Sequence, residues 1–187
     1  MGRTLVEDRV QDEDTLSSFE RSVLPHMDAA YNLARWLTKS DATAQDLVQE
    51  SFLRAFRFYD GFRGGDGKAW LLAIVRNTCF TWLQQNRPEP AASFDEELHT
   101  PASDASPQAQ LVQSEDRQAV RRAVEELPAD YREVVVLREL EGLSYKEIAA
   151  VAGIPIGTVM SRLARARKRL QRSLAGPNAA PRKGIAT

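Results

Sequence analysis

The stretch SYKEIAAVAGIPIGTVMSRLARARKRLQR, from Ser144 to Arg172, decides the fold of the C-terminal part of this chain. It has the pattern of two short helices joined by a tight turn. Ser144 stands where a helix N-cap belongs, and Glu147, three residues later, completes a capping box that satisfies two orphan backbone donors. Gly153 suits a helix C-terminus, because glycine tolerates a left-handed conformation, and Pro155 prevents the first helix from continuing.

The second helix of this stretch is amphipathic and densely basic. We expect it to begin around Gly157–Thr158, with Thr158 as its N-cap. Its apolar seam has the spacing of one helix face and consists of Val159, Leu163, Ala166 and Leu170. Its other faces carry cations without an intervening acidic residue, namely Arg162, Arg165, Arg167, Lys168, Arg169 and Arg172. This arrangement fits the helix-turn-helix geometry, in which the second helix enters the DNA major groove.

Two interpretations of this stretch compete. The basic run alone would favour a helical hairpin whose arginines form a solvated face. The capping box, the small residue Ala149, the turn glycine and the basic second helix occur together, and this combination favours DNA binding. The net charge of the 187-residue chain is only −1, so attraction to nucleic acid must come from the local cluster of cations.

Composition limits the class of protein. A hydrophobic content of 43% and a charged content of 27% are those of a soluble globular protein with one domain or two small ones. The single cysteine, Cys79, excludes an intramolecular disulfide and fits a reducing compartment. No apolar run reaches the length of a membrane span, and the N-terminus lacks a signal pattern. We therefore expect a cytoplasmic protein without membrane insertion.

The N-terminal part is predicted to be helical after an acidic, flexible segment at 1–14. Apolar residues recur every three or four positions from 15 to about 37, which indicates one helix, or two helices broken near Pro25. A further helix is predicted from Asp41 or Thr43 to Tyr59. Its polar face carries Asp46, Gln49, Glu50 and Arg54, spaced i, i+3, i+4 and i+8. Spacing alone leaves a docking face and a solvated face equally good interpretations.

A glycine-rich loop at 60–68 and a helix at 69–85 come next. They bring basic residues and an amide among aromatic ones: Phe62, Arg63, Lys68, Trp70, Arg76 and Asn77. Such a group suits single-stranded nucleic acid, because bases stack on aromatic faces while cations hold phosphates. The competing interpretation is that most of these aromatics belong to the core. A Walker-type phosphate loop is not indicated, because its spacing is absent.

Residues 88–110 are predicted to form a flexible linker, because their Pro, Ala, Ser, Asp and Glu content offers little to bury. The linker separates a helical domain at 15–87 from a second one at 111–175, and 176–187 is expected to be a loose tail. Three consecutive valines at 134–136 could suggest a strand, but the flanking residues have helical period. The sequence therefore predicts an all-α protein of two small helical domains, the second with a helix-turn-helix.

No catalytic constellation is present in the sequence. His26 and His99 have no partner at ligand spacing, so we expect no metal site, and no nucleophile–base pattern or dinucleotide fingerprint is found. An α-helical enzyme is therefore the weakest hypothesis, and no cofactor is expected.

Three segments together resemble a known family. DLVQESFLRAF, a loop with Phe-Arg followed by AWLLAIVRN, and LPADYREVVVLRELEGLSYKEIAAVAGIPIGTVMSRLARARKRL are similar to bacterial RNA polymerase sigma factors of the extracytoplasmic-function group. The resemblance covers about residues 15–175, in the family's order. It implies a subunit that binds core RNA polymerase and directs promoter recognition, DNA melting and initiation, in a stress or envelope-type response under an anti-sigma factor.

The resemblance also implies roles for residues. Asp46, Gln49, Glu50 and Arg54 would bind core polymerase. The loop at 59–68, with Phe62, Arg63 and Lys68, would capture an unstacked base of the minus-ten element, beside Trp70, Arg76 and Asn77. Thr158, Ser161, Arg162 and Arg165 would face the minus-thirty-five groove, with Arg162 as the preferred base reader. Arg167, Lys168 and Arg169 would hold phosphates.

The chain departs from the family pattern at Thr81, where many members have an acidic residue, and at Gln84-Gln85, where many carry a basic one. The alternative function is a stand-alone helix-turn-helix regulator that binds duplex DNA. A regulator of this kind would form a dimer that binds palindromic duplex sites by itself, whereas a sigma factor would need polymerase to bind promoter DNA well.

Overall fold

A computed structural model describes residues 15–62, 64–86 and 107–175 of the chain. Within these ranges the regular structure is helical, and no strand occurs, as the sequence predicted. The elements in order are α1 at 15–22, a 3-10 turn Leu24–His26, α2 Met27–Thr38, α3 Asp41–Arg57, a 3-10 turn Tyr59–Gly61, α4 Gly67–Gln85, α5 Pro107–Glu125, α6 Ala129–Val135, a π-helical turn Val136–Leu140, α7 Tyr145–Ala152 and α8 Ile156–Leu174.

The predicted break near Pro25 separates α1 from α2 as a 3-10 turn. Lys39 follows α2 as its C-cap in a left-handed conformation, and Ser40 then caps α3 by accepting a hydrogen bond from the Thr43 amide. Asp66 caps α4 through the amides of Lys68 and Ala69. Helices α2, α3 and α4 pack against one another in every pairing and form the N-terminal half of the molecule.

The valine run at 134–136 is helical and buried, which confirms the helical interpretation of this segment. Helix α6 passes directly into the π-helical turn, and the Leu143 amide donates to the Leu137 carbonyl beyond it. Helices α5, α6 and α7 all pack on α8, and these four helices form the C-terminal half. Helix α5 begins at Pro107, so residues 107–110 of the predicted linker are helical, while 88–106 lie outside the described residues.

The helix-turn-helix is formed by α7 and α8. Ser144 and Glu147 make the predicted capping box, and Gly153 ends α7 with a φ of +66°. The expected start of α8 was wrong: its N-cap is Pro155, and Thr158 lies inside the first turn, where its amide donates to the Pro155 carbonyl. Proline supplies a pre-set backbone angle at this junction, so the helix begins earlier and needs no side-chain cap.

The two halves pack against each other. Helix α4 contacts α7, and α2 contacts α6. Their buried apolar side chains belong to one continuous cluster, which includes Leu33 and Leu71 from the first half and Leu137 and Ile148 from the second. No single helix of the described segments is long and apolar enough to cross a membrane.

Candidate nucleic-acid interface

The polar face of α3 is open to solvent. Asp46, Gln49, Glu50 and Arg54 are all exposed, and Glu50 forms an ion pair with Arg54 one turn away. An exposed pair of this kind stabilises a protein by only about 0.3–0.5 kcal/mol. This ion pair therefore contributes little to the stability of the fold. Leu53 lies between these residues with 64% of its surface exposed. Sequence reasoning missed Leu53, although it follows Gln49 and Glu50 at i+4 and i+3.

Two neighbouring apolar residues of α3 differ in burial. Ala55 is fully buried, whereas Phe56 remains 49% exposed. Phe56 therefore adds a second apolar side chain to the surface of α3, and it also packs edge-on against Phe19 at 5.3 Å between ring centroids. The exposed surface of α3 thus combines charged and apolar groups.

An aromatic cluster stands at the start of α4. Phe62 stacks on Tyr59 at 5.6 Å between ring centroids and lies 5.0 Å from Trp70. Both Phe62 and Trp70 are half-buried and pack on the core, so the core interpretation of these aromatics holds in part. Arg63 lies outside the described residues.

An open depression of about 480 Å³ adjoins this cluster. Its wall combines two aromatic rings with hydroxyl and carboxylate groups, and includes Ser18, Ser22, Tyr59, Asp60 and Phe62. Rings can stack on a planar base, and the polar groups can hydrogen-bond to its edge, which is what a nucleotide taken out of the helical stack requires.

The two cations of α4 point toward the C-terminal half. Lys68 Nζ lies 2.9 Å from a carboxylate oxygen of Glu141 and donates to the Glu141 carbonyl at 2.8 Å. Arg76 Nε donates to Glu133 at 2.6 Å, and its guanidinium lies 4.1 Å from the centroid of the Phe80 ring. Asn77 is exposed and accepts a hydrogen bond from Arg76. The structure therefore brings two of the minus-ten candidates of α4, Lys68 and Arg76, into contact with the other half.

On α8 the predicted residues divide into two groups. Ser161, Arg165 and Lys168 are exposed, and Thr158 is partly exposed. Arg162, by contrast, lies against α6, with Nη2 at 3.0 Å from Asp130 and Nη1 at 3.8 Å from Glu133.

The two remaining α8 candidates also contact α6 or the π-helical turn. Arg167 donates a hydrogen bond to Glu139 at 2.7 Å, and this bond raises the pKa of Arg167. Arg169 covers the Tyr131 ring. Only part of the basic face of α8 is therefore unpaired within the described residues.

Glu133 contacts one cation from α4 and one from α8. Its side chain is fully buried, and it receives Arg76 from α4 and Arg162 from α8. Burial raises the pKa of Glu133, and the two guanidinium groups oppose that rise. Sequence reasoning missed Glu133. The local pattern of 129–140 does not show whether an acidic side chain faces water or the other half of the molecule.

A metal site is not formed by the described side chains, in which no group of three or more His, Cys, Asp or Glu residues comes together. The single cysteine, Cys79, is buried in α4.

Comparison with known proteins agrees with the helical architecture. The sequence matches the family models for Sigma-70 region 2 over residues 23–89 and Sigma-70 region 4 over residues 117–170. It is 34% identical to the ECF RNA polymerase sigma factor SigE of Mycolicibacterium smegmatis, over 92% of this chain and 67% of the relative. It is 39% identical to the ECF RNA polymerase sigma-E factor of Escherichia coli, over 73% of this chain and 75% of the relative.

Two solved structures are similar as well. The sigma factor RpoE from Bartonella quintana, in complex with the anti-sigma factor NepR, superposes with a TM-score of 0.69 at 30% identity, over 86% of this chain and 99% of that one. CnrH, in complex with the cytosolic domain of CnrY, superposes with a TM-score of 0.61 at 26% identity, over 91% and 99%. The chain belongs to the extracytoplasmic-function group of the sigma-70 family, the transcription initiation factors of bacterial RNA polymerase.

Proposed function

We propose that the two halves of this sigma factor have different binding roles. Residues 15–87 bind core polymerase and the minus-ten element, and residues 111–175 bind the minus-thirty-five element. The exposed mixed face of α3, with Asp46, Gln49, Glu50 and Arg54, docks on polymerase, and Leu53 adds apolar contact. This assignment is supported by the exposure of a charged and apolar surface that the fold itself does not use.

The observation that carries the melting role is the aromatic cluster beside an open depression. Phe62 and Trp70 are proposed to stack on an unstacked base, with Lys68, Arg76 and Asn77 holding the adjoining strand. Unstacking and unpairing a base costs a few kcal/mol, and stacking on an aromatic side chain returns about 1–3 kcal/mol. A protein with this site favours melted DNA by binding it, without catalysing any reaction. It acts in the cytoplasm, where polymerase works.

On α8, Thr158, Ser161, Arg162 and Arg165 are proposed to face the groove, and Arg167, Lys168 and Arg169 to contact phosphates. Arg165 is exposed, whereas Arg162 must release Asp130 before its guanidinium can reach a base. Control by an anti-sigma factor is part of this proposal, because one structural relative is bound to such a factor.

The test is run-off transcription with core RNA polymerase on genomic promoter fragments, with and without the protein. Discrete transcripts that require the protein are expected. The charge reversal Asp46→Lys/Glu50→Lys should abolish them, while Glu20→Lys/Asp28→Lys, an equal charge change at exposed sites of α1 and α2, should leave them intact. If no initiation occurs and the protein alone shifts duplex DNA, the stand-alone regulator is the correct function.

The melting role is tested separately with Phe62→Ala. On a fully paired promoter, loss of one stacking contact should lower initiation by about tenfold or more. On the same promoter with a pre-melted bubble, the defect should largely disappear, because the cost of unpairing has been removed. An equal defect on both templates would contradict a role in capturing a flipped base.

A further inference from the structure

The exposed side of α8 carries apolar residues as well as cations. Ile156 is 45% exposed and Met160 is 54% exposed, although both are large apolar side chains. Ala164 is exposed one turn further along the helix. These residues, called the apolar stripe below, are spaced four apart and therefore share one side of α8. The core does not use them, because other residues of α8 form the buried seam that packs on the rest of the fold.

The apolar stripe begins in the part of α8 that contacts bases in a helix-turn-helix. The N-terminal residues of a recognition helix contact base edges, whereas contacts to phosphates position the helix. In the first two turns of α8 the most exposed side chains are those of Ile156, Met160 and Ser161. Arg162 lies against α6 instead, where it pairs with Asp130. A base edge that approaches this end of α8 therefore meets apolar side chains and a hydroxyl group.

The major groove offers one apolar group to such a surface. Each base pair presents hydrogen-bond donors or acceptors there, and only thymine adds a methyl group, which makes apolar contacts with side chains. Removing one methyl group from water strengthens binding by about fourfold. Met160 suits this contact, because its unbranched thioether side chain is flexible and adapts to the shape of its partner. The chemistry of the apolar stripe therefore matches thymine.

Charge and size favour DNA over a protein as the partner of the apolar stripe. Ser161, Arg165 and Lys168 are exposed alongside it, and α8 contains no acidic residue from Ile156 to Leu174. A second copy of the chain would place cations against cations. The stripe is also far smaller than the roughly 1,600 Å² that a stable protein interface buries. The major groove, in which thymine methyl groups lie between two rows of phosphates, complements both the apolar stripe and the cations beside it.

We propose that Met160, at the centre of the apolar stripe, is a specificity-determining residue that contacts the methyl group of a thymine in the minus-thirty-five element. The inference rests on the proposed function and adds the base chemistry that this end of α8 recognises. Ile156 and Ala164 exclude water on either side of the contact. The element that this chain selects therefore includes a T·A pair at which the methyl group determines the preference.

The test combines removal of the side chain with removal of the methyl group. The probe is the promoter fragment that gives the strongest transcript in run-off transcription. Each thymine of its minus-thirty-five element is replaced in turn by deoxyuridine, which keeps the base pairing and lacks only the methyl group. Fluorescence anisotropy measures the affinity of the holoenzyme for each labelled fragment.

At one position the replacement should weaken binding by the unaltered protein about fourfold. Holoenzyme with Met160→Ala should bind the thymine fragment more weakly by a similar factor, and deoxyuridine should then have no further effect. Met160→Leu should retain most of the sensitivity to deoxyuridine, because it keeps an apolar side chain of similar size.

The matched control on the same helix is Lys168→Ala. It should weaken binding to the thymine and deoxyuridine fragments equally, since a phosphate contact does not sense the methyl group. Absence of any thymine whose methyl group affects binding, or an unchanged response to deoxyuridine in Met160→Ala, would overturn the inference while transcription continues. A holoenzyme that produces no transcript from any fragment would refute the proposed function and, with it, the role of Met160.

Discussion

Gly67, the first residue of α4, has the least space for a side chain among the glycines that the structure describes. A Cβ added there would lie 2.1 Å from the carbonyl oxygen of Ser22, and the obstacle is backbone, which cannot turn away as a flexible side chain can. Gly67 thus sets how closely the end of α1 approaches α4, next to the aromatic cluster.

Gly67→Ala is expected to lower the free energy of unfolding by roughly 1–3 kcal/mol, the usual cost of overpacking. Urea denaturation followed by circular dichroism measures the change. Gly157→Ala is the matched control, because Gly157 also lies in the first turn of a helix and a Cβ there would meet nothing within 4 Å. That variant should be neutral or slightly stabilising, since alanine has the higher helix propensity. Equal losses in both variants would show that the close approach to Ser22 is not the cause.

Cys79 shows what burial does to a single ionisable residue. Removal from water raises the pKa of its thiol from 9.0 to about 12. A pKa of about 12 reduces the thiolate fraction at neutral pH by about a thousandfold relative to an ordinary thiol, and the thiolate is the reactive species.

Cys79 should therefore react with a disulfide reagent at pH 8 only when the surrounding helices open. We expect modification of the native chain to be at least about a hundredfold slower than in urea. The absorbance of the thiol dye that the reagent releases measures the rates of modification with and without urea, and Cys79→Ser supplies the blank. Rapid modification of the native chain would contradict the buried position.

At the scale of the element, α7 shows how local chemistry defines a helix. The Ser144 amide donates to Glu147 at 2.6 Å, and the Glu147 amide donates to the Ser144 hydroxyl at 3.3 Å. These bonds hold the pKa of Glu147 below its usual value of 4.5. For a carboxyl group with a lowered pKa, stabilisation is present above the unfolded value and is lost as the pH falls through the folded one.

Ser144→Ala is expected to reduce the free energy of unfolding by about 1 kcal/mol at neutral pH, as loss of an N-cap does. The variant should also lose less stability than the unaltered chain as the pH falls below 4.5, because the hydroxyl contribution to the pKa shift of Glu147 is gone. Denaturation across this pH range measures both effects. Ser173→Ala, at an exposed serine near the end of α8, should behave like the unaltered chain; a similar loss there would contradict the capping account.

The sequence of helix α8 predicts its buried face but not the partners of its arginines. Its amphipathic seam is buried at Val159, Leu163 and Ala166, as its spacing predicts. The partners of its arginines, however, lie on α6 and the π-helical turn, which are some thirty residues away in the chain. Helical period places Arg162 beside the seam but cannot say that an acid of another helix lies opposite it.

At the scale of the whole molecule, the two helical halves share one apolar cluster and a set of ion pairs. Ion pairs screened by salt weaken as ionic strength rises, but buried pairs are screened much less. The contact between the halves should therefore loosen only modestly with added salt.

We expect the radius of gyration of the free chain to stay nearly constant between low salt and about 0.5 M salt, while its affinity for duplex DNA falls steeply. Scattering and anisotropy in the same buffers measure the two responses. Expansion at low or moderate salt would show that exposed charges rather than buried ones hold the halves together.

The sequence by itself determined the helical class, the capping box, the turn glycine and the family, and it left a break near Pro25 as one of two alternatives. Each of these depends on neighbouring residues or on periodicity along one helix, which a linear pattern records completely. The start of α8 was the local exception, because Pro155 could take the capping position without a side-chain hydrogen bond.

Only the tertiary structure decided which charged groups meet. Lys68 and Glu141, or Arg76 and Glu133, are separated by more than fifty residues, and their pairing depends on how two halves pack. The same packing leaves Leu53 and Phe56 exposed although both are apolar. Periodicity assigns a residue to a face of its helix, but what covers that face is a property of the assembled fold.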